Sequence, residues 1–400
     1  MDASIFLFTL LGIACGTCTG LVPGIHVNTA APLATHLACI FGATSICAAS
    51  FLCTMSLTHT FIDFIPATFL GVPDSETALS LLPAHRMVKE GRGLEAIWIS
   101  GVSSLGAACL VAAALPLSIR LLPGMMPLLT RSTPYVLVFF LLLMVAADTD
   151  ARHVLCSCAV VAVAGAFGMA TLGAPQFSGD VLFPVFSGFF GISTLLLSIG
   201  ESTALPPQSR PGYAVTGTMA KSCVAGTLAG IVVATMPGIG ASQATILSSK
   251  LRSSGGGSTS FIASCCATNT SNAMYALVML YLFKKARNGA LVHVRDIMGD
   301  LTQDEYLLLM ASMCVAGAVS FLVLLSLSSC AIRLLSGISY FRISIAGIAI
   351  QAGAIVALEG VAGLFLAALA TVIGLLPPSL GISRTTLMAY LLVPVLGYYT

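Results

Sequence analysis

Apolar residues in this chain run in blocks longer than a soluble core would use. Leu94–Leu122 carries one carboxylate, Glu95, and one arginine, Arg120, both near its ends. Pro134–Ala147, His153–Leu172, Val181–Ile199, Cys223–Met236, Tyr306–Ile332 and Gly360–Leu376 read the same way. A helix crosses the hydrocarbon core with about 20 mostly apolar residues, so the pattern predicts an all-α polytopic membrane protein with roughly ten to twelve spans. Tyr135–Ala147 is short and would need a tilt or its flanks to reach across. The polar stretches between blocks, Ala84–Glu95, Lys250–Ser260 and Lys284–Gln303, are each too small to form a domain with its own core. The start, Met1-Asp2-Ala3-Ser4, has no basic leader, so the first apolar run is expected to stay as a helix.

Composition agrees. The chain is 57% hydrophobic and 8% charged, against about 25% charged for a soluble protein. Its net charge is +2 with no basic stripe, which excludes nucleic acid as a partner. Thirteen cysteines include close pairs at Cys15/Cys18, Cys156/Cys158 and Cys265/Cys266. All three lie in apolar, small-residue-rich sequence with no second pair at zinc-like distance, so they read as small residues for close helix approach, and neither metal nor cofactor is expected.

The order of motifs recurs. Pro23-Gly24-Ile25 returns as Pro237-Gly238-Ile239, an offset of 214 (237 − 23). Ile119-Arg120-Leu121-Leu122 returns as Ile332-Arg333-Leu334-Leu335, an offset of 213 (332 − 119). Thr58 faces Thr270, and Ala78-Leu79 faces Ala290-Leu291, both at 212 (270 − 58; 290 − 78). Ordered matches at nearly one offset predict two repeats, residues 1–209 and 210–400. An inverted relation is the expectation, although span parity does not fix it. The basic clusters Arg86/Lys89/Arg92 and Lys284/Lys285/Arg287 occupy equivalent places and give no orientation.

Each Pro-Gly pair interrupts a helix within an apolar run. Irregular backbone at membrane depth is tolerated only inside protein or beside a water-filled cavity, and paired interruptions in repeated halves point to a transporter's binding site. Small polar groups follow: His26, Asn28 and Thr29 after Pro23-Gly24, and Gly240, Ser242 and Gln243 after Pro237-Gly238. New helices starting there would offer free N–H groups to an anion. These residues, with Asn269 and Asn272, form the expected substrate set, and the two breaks are expected to meet near mid-membrane.

A second constellation is Thr58-His59-Thr60-Phe61-Ile62-Asp63, followed by Pro73-Asp74-Ser75-Glu76. An acid in hydrocarbon is costly, so intramembrane carboxylates mark ion or proton paths. His59 and Asp63, four apart on one helix face, could share a cation or proton. Thr58, His59, Asp63, Asp74, Ser75 and Glu76 are the expected ion-coupling set. The second half has only Asn269, Thr270 and Asn272 there, which suits ion and substrate being held by different halves. Glu201, Glu359, Arg120 and Arg333 lie near span ends, and Trp98 and Tyr398-Tyr399 read as interface anchors. Gly255-Gly256-Gly257 lacks the Gly-Lys-Ser/Thr of a phosphate loop.

Gly20-Leu-Val-Pro-Gly-Ile-His26, Thr58–Pro66 through Leu82–Gly91, and Pro237–Gln243 resemble the large membrane subunit of tripartite tricarboxylate transporters, the TctA family. Asn269–Asn272, Arg287–Ala290 and Gly374–Gly381 are similar to its archaeal branch. The resemblance implies a multi-pass cell-membrane permease, driven by a cation or proton gradient, for small organic anions such as di- or tricarboxylates. It also implies a small membrane subunit and an extracytoplasmic binding protein as partners. Pro73-Asp74-Ser75-Glu76 departs from the family's Pro-Gly-Thr/Ser and adds acids where a tricarboxylate would be repelled. The competing readings are a membrane-embedded metal-dependent enzyme using His59, Asp63, Asp74, Glu76 and His85, and a passive channel or structural subunit.

Overall fold

The computed structural model describes all residues except 1–2, 23–26, 71–80, 147–149, 173–180, 200–206, 210–211, 213, 237–239, 242–243, 246–256, 336–339 and 400. Every described element is helical. The first region comprises α1 (Ala3–Leu21), α2 (Val27–Ile40), α3 (Ser45–Ile62), α4 (Phe64–Leu70), α5 (Leu81–Lys89), α6 (Gly93–Val145) and α7 (Ala151–Thr171). Next come α8 (Leu182–Phe186), a π-helical turn at Ser187–Ile192, and α9 (Ser193–Ser198). The later part holds α10 (Gly217–Thr235), α11 (Gly257–Phe283), α12 (Gly289–Met298), α13 (Gln303–Leu335) and α14 (Tyr340–Leu380). A 3₁₀ turn at Arg384–Met388 leads into α15 (Ala389–Tyr399).

Seven helices among the described residues are long and apolar enough to cross a membrane. Two of them hold more than one crossing's length. α6 has 53 residues, about 80 Å at 1.5 Å per residue, and α14 is divided by Gly360, whose φ of 67° and ψ of −163° are not helical. The sequence predicted separate blocks at Leu94–Leu122 and Pro134–Ala147, whereas the chain runs through as one helix despite Pro116, Pro123, Pro127 and Pro134. Proline costs one hydrogen bond each time, and membrane helices tolerate this because local adjustments and neighbours satisfy the freed carbonyls.

Polar residues set the starts. Thr216 accepts the Met219 N–H at 3.2 Å ahead of α10, and Asn288 accepts the Leu291 N–H at 2.9 Å ahead of α12. Thr302-Gln-Asp-Glu305 forms a reciprocal capping box: Thr302 N–H donates to Glu305 Oε2 at 2.9 Å, and Glu305 N–H donates to Thr302 Oγ1 at 3.3 Å. Arg92 at the start of α6 donates to both Glu95 oxygens, and this hydrogen bonding raises its already high pKa.

Two close helix pairs organise the packing. Along α1, Gly12 lies against Phe51 and Thr54, Gly16 against Met55 and Thr58, and Gly20 against His59 and Ile62, so α1 and α3 run in the same direction. Along α10, Gly226 lies against Ser264 and Ala267, and Gly230 against Thr268 and Ser271, so α10 and α11 also run in the same direction. A Cβ on any of these glycines would fall under 3.0 Å from its neighbour. Small residues are what allow such approach in lipid. The second approach adds a hydrogen bond from Ser271 Oγ to the Thr227 carbonyl at 2.8 Å. The helices α6 and α13 cross in opposite directions: Gly101 meets Phe321 and Leu324, while Gly317 faces Ala108.

Burial separates centre from periphery. The apolar stretch through α3 and α4 is 83% buried, against 22% for that of α6. One core joins α1, α3, α11 and α13. A second joins α7, α14, α15 and the π turn, where Gly188 and Gly191 let Ala367 and Gln351 approach. Trp98, expected at the membrane interface, is half-buried with its ring centroid 5.8 Å from that of Phe321. Tyr398 is exposed. None of the twelve cysteines described is disulfide-bonded.

Candidate functional site

The close approach of α1 to α3 gathers the first set of polar groups. Thr19 Oγ1 lies 3.0 Å from His59 Nδ1. Ser320 Oγ, from α13, donates to Thr58 Oγ1 at 2.9 Å. Thr58 and His59 are buried, and Asp63 is only 7% exposed. Asp63 occupies the joint between α3 and α4: its N–H donates to the His59 carbonyl at 2.9 Å, and its own carbonyl accepts the Ala67 N–H at 3.1 Å. Helical bonding therefore continues across the joint, and the carboxylate is held inside the protein rather than in a wet loop. Its charge bears on the Cys266 thiol of α11. The structure thus brings Thr58, His59 and Asp63 together with Thr19 and Ser320, which the sequence pattern did not single out, and with Cys266, which it showed only as half of a close cysteine pair. Only the packing shows them, because each is an ordinary small residue on its own helix.

The second half contributes neutral groups on α11. Asn269 is buried and Asn272 half-buried, with Thr270 fully buried between them. Gly240 is buried, and its carbonyl accepts the Ala244 N–H at 3.3 Å, one helical turn after the second break. In the first half, α2 begins at Val27, directly after the first break, with Asn28 and Thr29 in its first turn. Of the remaining expected residues, Pro23, Gly24, His26, Asp74, Ser75, Glu76, Pro237, Gly238, Ser242 and Gln243 lie outside the described residues. Among the described residues, no three of His, Cys, Asp and Glu stand close enough to hold a metal ion.

The ends of α1 and α10 can be placed along their neighbours. Gly20 packs at His59 and Ile62, and the stretch then continues through α4 to Leu70, about 12 Å further. Gly230 packs at Thr268 and Ser271, and α11 continues to Phe283, well past the end of α10. Both α1 and α10 therefore stop short of the longer helix that supports them.

Arg287 was not among the residues expected to bind. It lies in the connection between α11 and α12, and its guanidinium Nη2 donates to the carbonyl of Thr235, the last residue of α10. Its Nε is sealed from solvent and has no hydrogen-bond partner among the described residues. Burial lowers its pKa, and Tyr399 is the titratable group acting on it. The sequence showed it as one of three cations in a basic turn and as part of the Arg287–Ala290 stretch, with no role assigned.

These helices, with buried polar groups where α1 and α10 stop, define a polytopic membrane protein. Residues 6–389 match the tripartite tricarboxylate transporter TctA family, and the chain belongs to that family. It is therefore a transporter component rather than an enzyme. The chain is 29% identical over 326 residues to an uncharacterized protein of Methanocaldococcus jannaschii, covering 80% of this chain and 79% of that one. This fits the resemblance to an archaeal branch. No solved structure matches the chain.

Proposed function

We propose that the protein is the permease of a secondary transport system for a small organic anion of the di- or tricarboxylate class, driven by a cation or proton gradient. A tripartite system implies partner subunits, and we assign this chain a small membrane subunit and an extracytoplasmic binding protein as partners. The observation that carries the reading is Asp63, a carboxylate 7% exposed at a helix joint, with His59 one turn before it. Ionised acids are kept inside membrane proteins where they hold an ion or proton. Neutral donors on α11 and the helix starts at Val27 and Gly240 supply the anion side, where N–H groups favour negative charge.

Two related halves, inverted with respect to each other, support this reading. The glycine pair Gly12/Gly16 recurs as Gly226/Gly230 at an offset of 214 (226 − 12; 230 − 16), each pair closing a parallel helix contact. The opposed crossing of α6 and α13 is what inverted halves would produce. The test is uptake of radiolabelled citrate and succinate into proteoliposomes under imposed sodium or proton gradients. Wild type should accumulate at least one of them, Asp63→Asn should lose accumulation, and exchange at equal concentrations should survive in the variant. Accumulation by Asp63→Asn at the wild-type level would remove Asp63 from coupling.

A further inference from the structure

The chain between α14 and α15 runs alongside a spanning helix without being an α-helix itself. A Cβ on Gly381 would lie 3.4 Å from the His153 ring, near the start of α7. Tyr390 marks the other end: its hydroxyl lies 2.9 Å from Thr171 Oγ1, and its carbonyl oxygen would be 2.1 Å from a Cβ on Gly168. His153 and Thr171 are 18 residues apart (171 − 153), about 27 Å along α7. Arg384 sits on this stretch, so its backbone lies beside the span and not beyond its end. Non-helical backbone at that depth occurs only inside protein or beside a water-filled cavity.

The turn satisfies its own hydroxyls. Ser383 Oγ and Thr385 Oγ1 are 2.8 Å apart, and Thr386 Oγ1 donates to the Ser383 carbonyl at 2.8 Å. Arg384 is what remains. It is half-buried, and its Nη1 donates to the hydroxyl of Thr194 on α9, a residue only 5% exposed. The head therefore points into the protein instead of snorkelling to the interface. Arg92 and Arg295 have acids beside them, whereas no charged group among the described residues acts on Arg384. A cation withdrawn from water is costly and is normally paired. Its Nε and Nη2 have no acceptor among the described residues and, unlike Nε of Arg287, are not sealed. That edge is the one that grips an oxyanion through two parallel bonds.

We propose that Arg384 is an oxyanion site inside the membrane, taking a phosphate-type group on its Nε–Nη2 edge while Thr194 steadies Nη1. An intramembrane charge marks a functional site, and this one lacks only its counter-ion. The same edge suits a dissolved anion and the headgroup of an anionic lipid, for Leu196 and Leu197, exposed just after Thr194, offer acyl chains an apolar surface. The site stands whichever anion is transported.

Delipidated full-length wild type, Arg384→Gln and Arg384→Lys would be titrated in detergent with inorganic phosphate by calorimetry. Separate samples would be offered phosphatidylglycerol or phosphatidylcholine, with retained lipid read by native mass spectrometry. Wild type should bind phosphate, which marks a dissolved anion as the occupant, or hold phosphatidylglycerol in preference to phosphatidylcholine, which marks a lipid. Arg384→Gln should weaken whichever binds by about tenfold or more. Arg384→Lys keeps the charge but loses the fork, and should weaken it several-fold while folding normally. Wild type that binds neither phosphate nor phosphatidylglycerol overturns the proposal. So does wild-type binding in Arg384→Gln, with or without a lowered unfolding temperature, since Arg384 would then only tie the turn to Thr194. If Arg384→Gln does not fold, unchanged binding in Arg384→Lys overturns it.

Discussion

Residue by residue, the chain divides its charges between wet ends and a few buried places. Glu95 and Arg92 satisfy each other at the start of α6, whereas Asp63 is buried and Arg287 is half-buried. The sign of the charge at the second break is therefore the most informative quantity to change. Ser242 follows that break in the sequence, and the proposed site there is built of neutral donors. Ser242→Asp should abolish citrate binding by like-charge repulsion, and Ser242→Ala should only weaken it. Loss of a hydrogen bond to a charged group costs roughly 1.5–3 kcal/mol, which is about a tenfold to hundredfold change in affinity. Isothermal titration of the two variants would decide. Wild-type affinity in Ser242→Asp would misassign the helix start, and tighter binding would mean that the transported species is a cation.

At the level of elements, glycine placement separates helix contacts from lipid-facing surface. Gly16 would put a Cβ 2.4 Å from the Met55 carbonyl oxygen, and Gly230 would put one 2.6 Å from the Ser271 side chain and 2.7 Å from the Thr268 carbonyl oxygen. Gly353, within α14, has nothing within 4 Å. Alanine at either of the first two should lower stability by about 1–3 kcal/mol through overpacking. Gly353→Ala should raise it by about 0.5–1 kcal/mol, since alanine is the better helix former. Thermal unfolding in detergent reads all three, and equal shifts at the three sites would contradict the assigned contacts. Much of this scale was legible beforehand, since apolar blocks located most spans. The continuity of α6 through four prolines was not legible, because proline signals a break unless neighbouring helices and local adjustment satisfy the freed carbonyls.

For the whole molecule, the candidate site was partly legible for a related reason. Asp63 stands out in sequence because a lone carboxylate within an apolar run is expensive wherever it lies. Thr19, Ser320 and Cys266 could not be found this way, since their significance comes from helices far apart in the chain meeting at one place. Arg287 was not singled out: the sequence showed it in a basic cluster that gives no orientation, and only the fold shows its bond to the end of α10. The central claim is that both helix breaks belong to one anion site inside the membrane. A high-resolution structure of the citrate-loaded protein in a lipid nanodisc tests it directly. The account predicts citrate held between the breaks, with Gly24 and Gly238 both lining the site near mid-membrane. Gly24 and Gly238 on opposite outer surfaces, or citrate bound away from both, would contradict it.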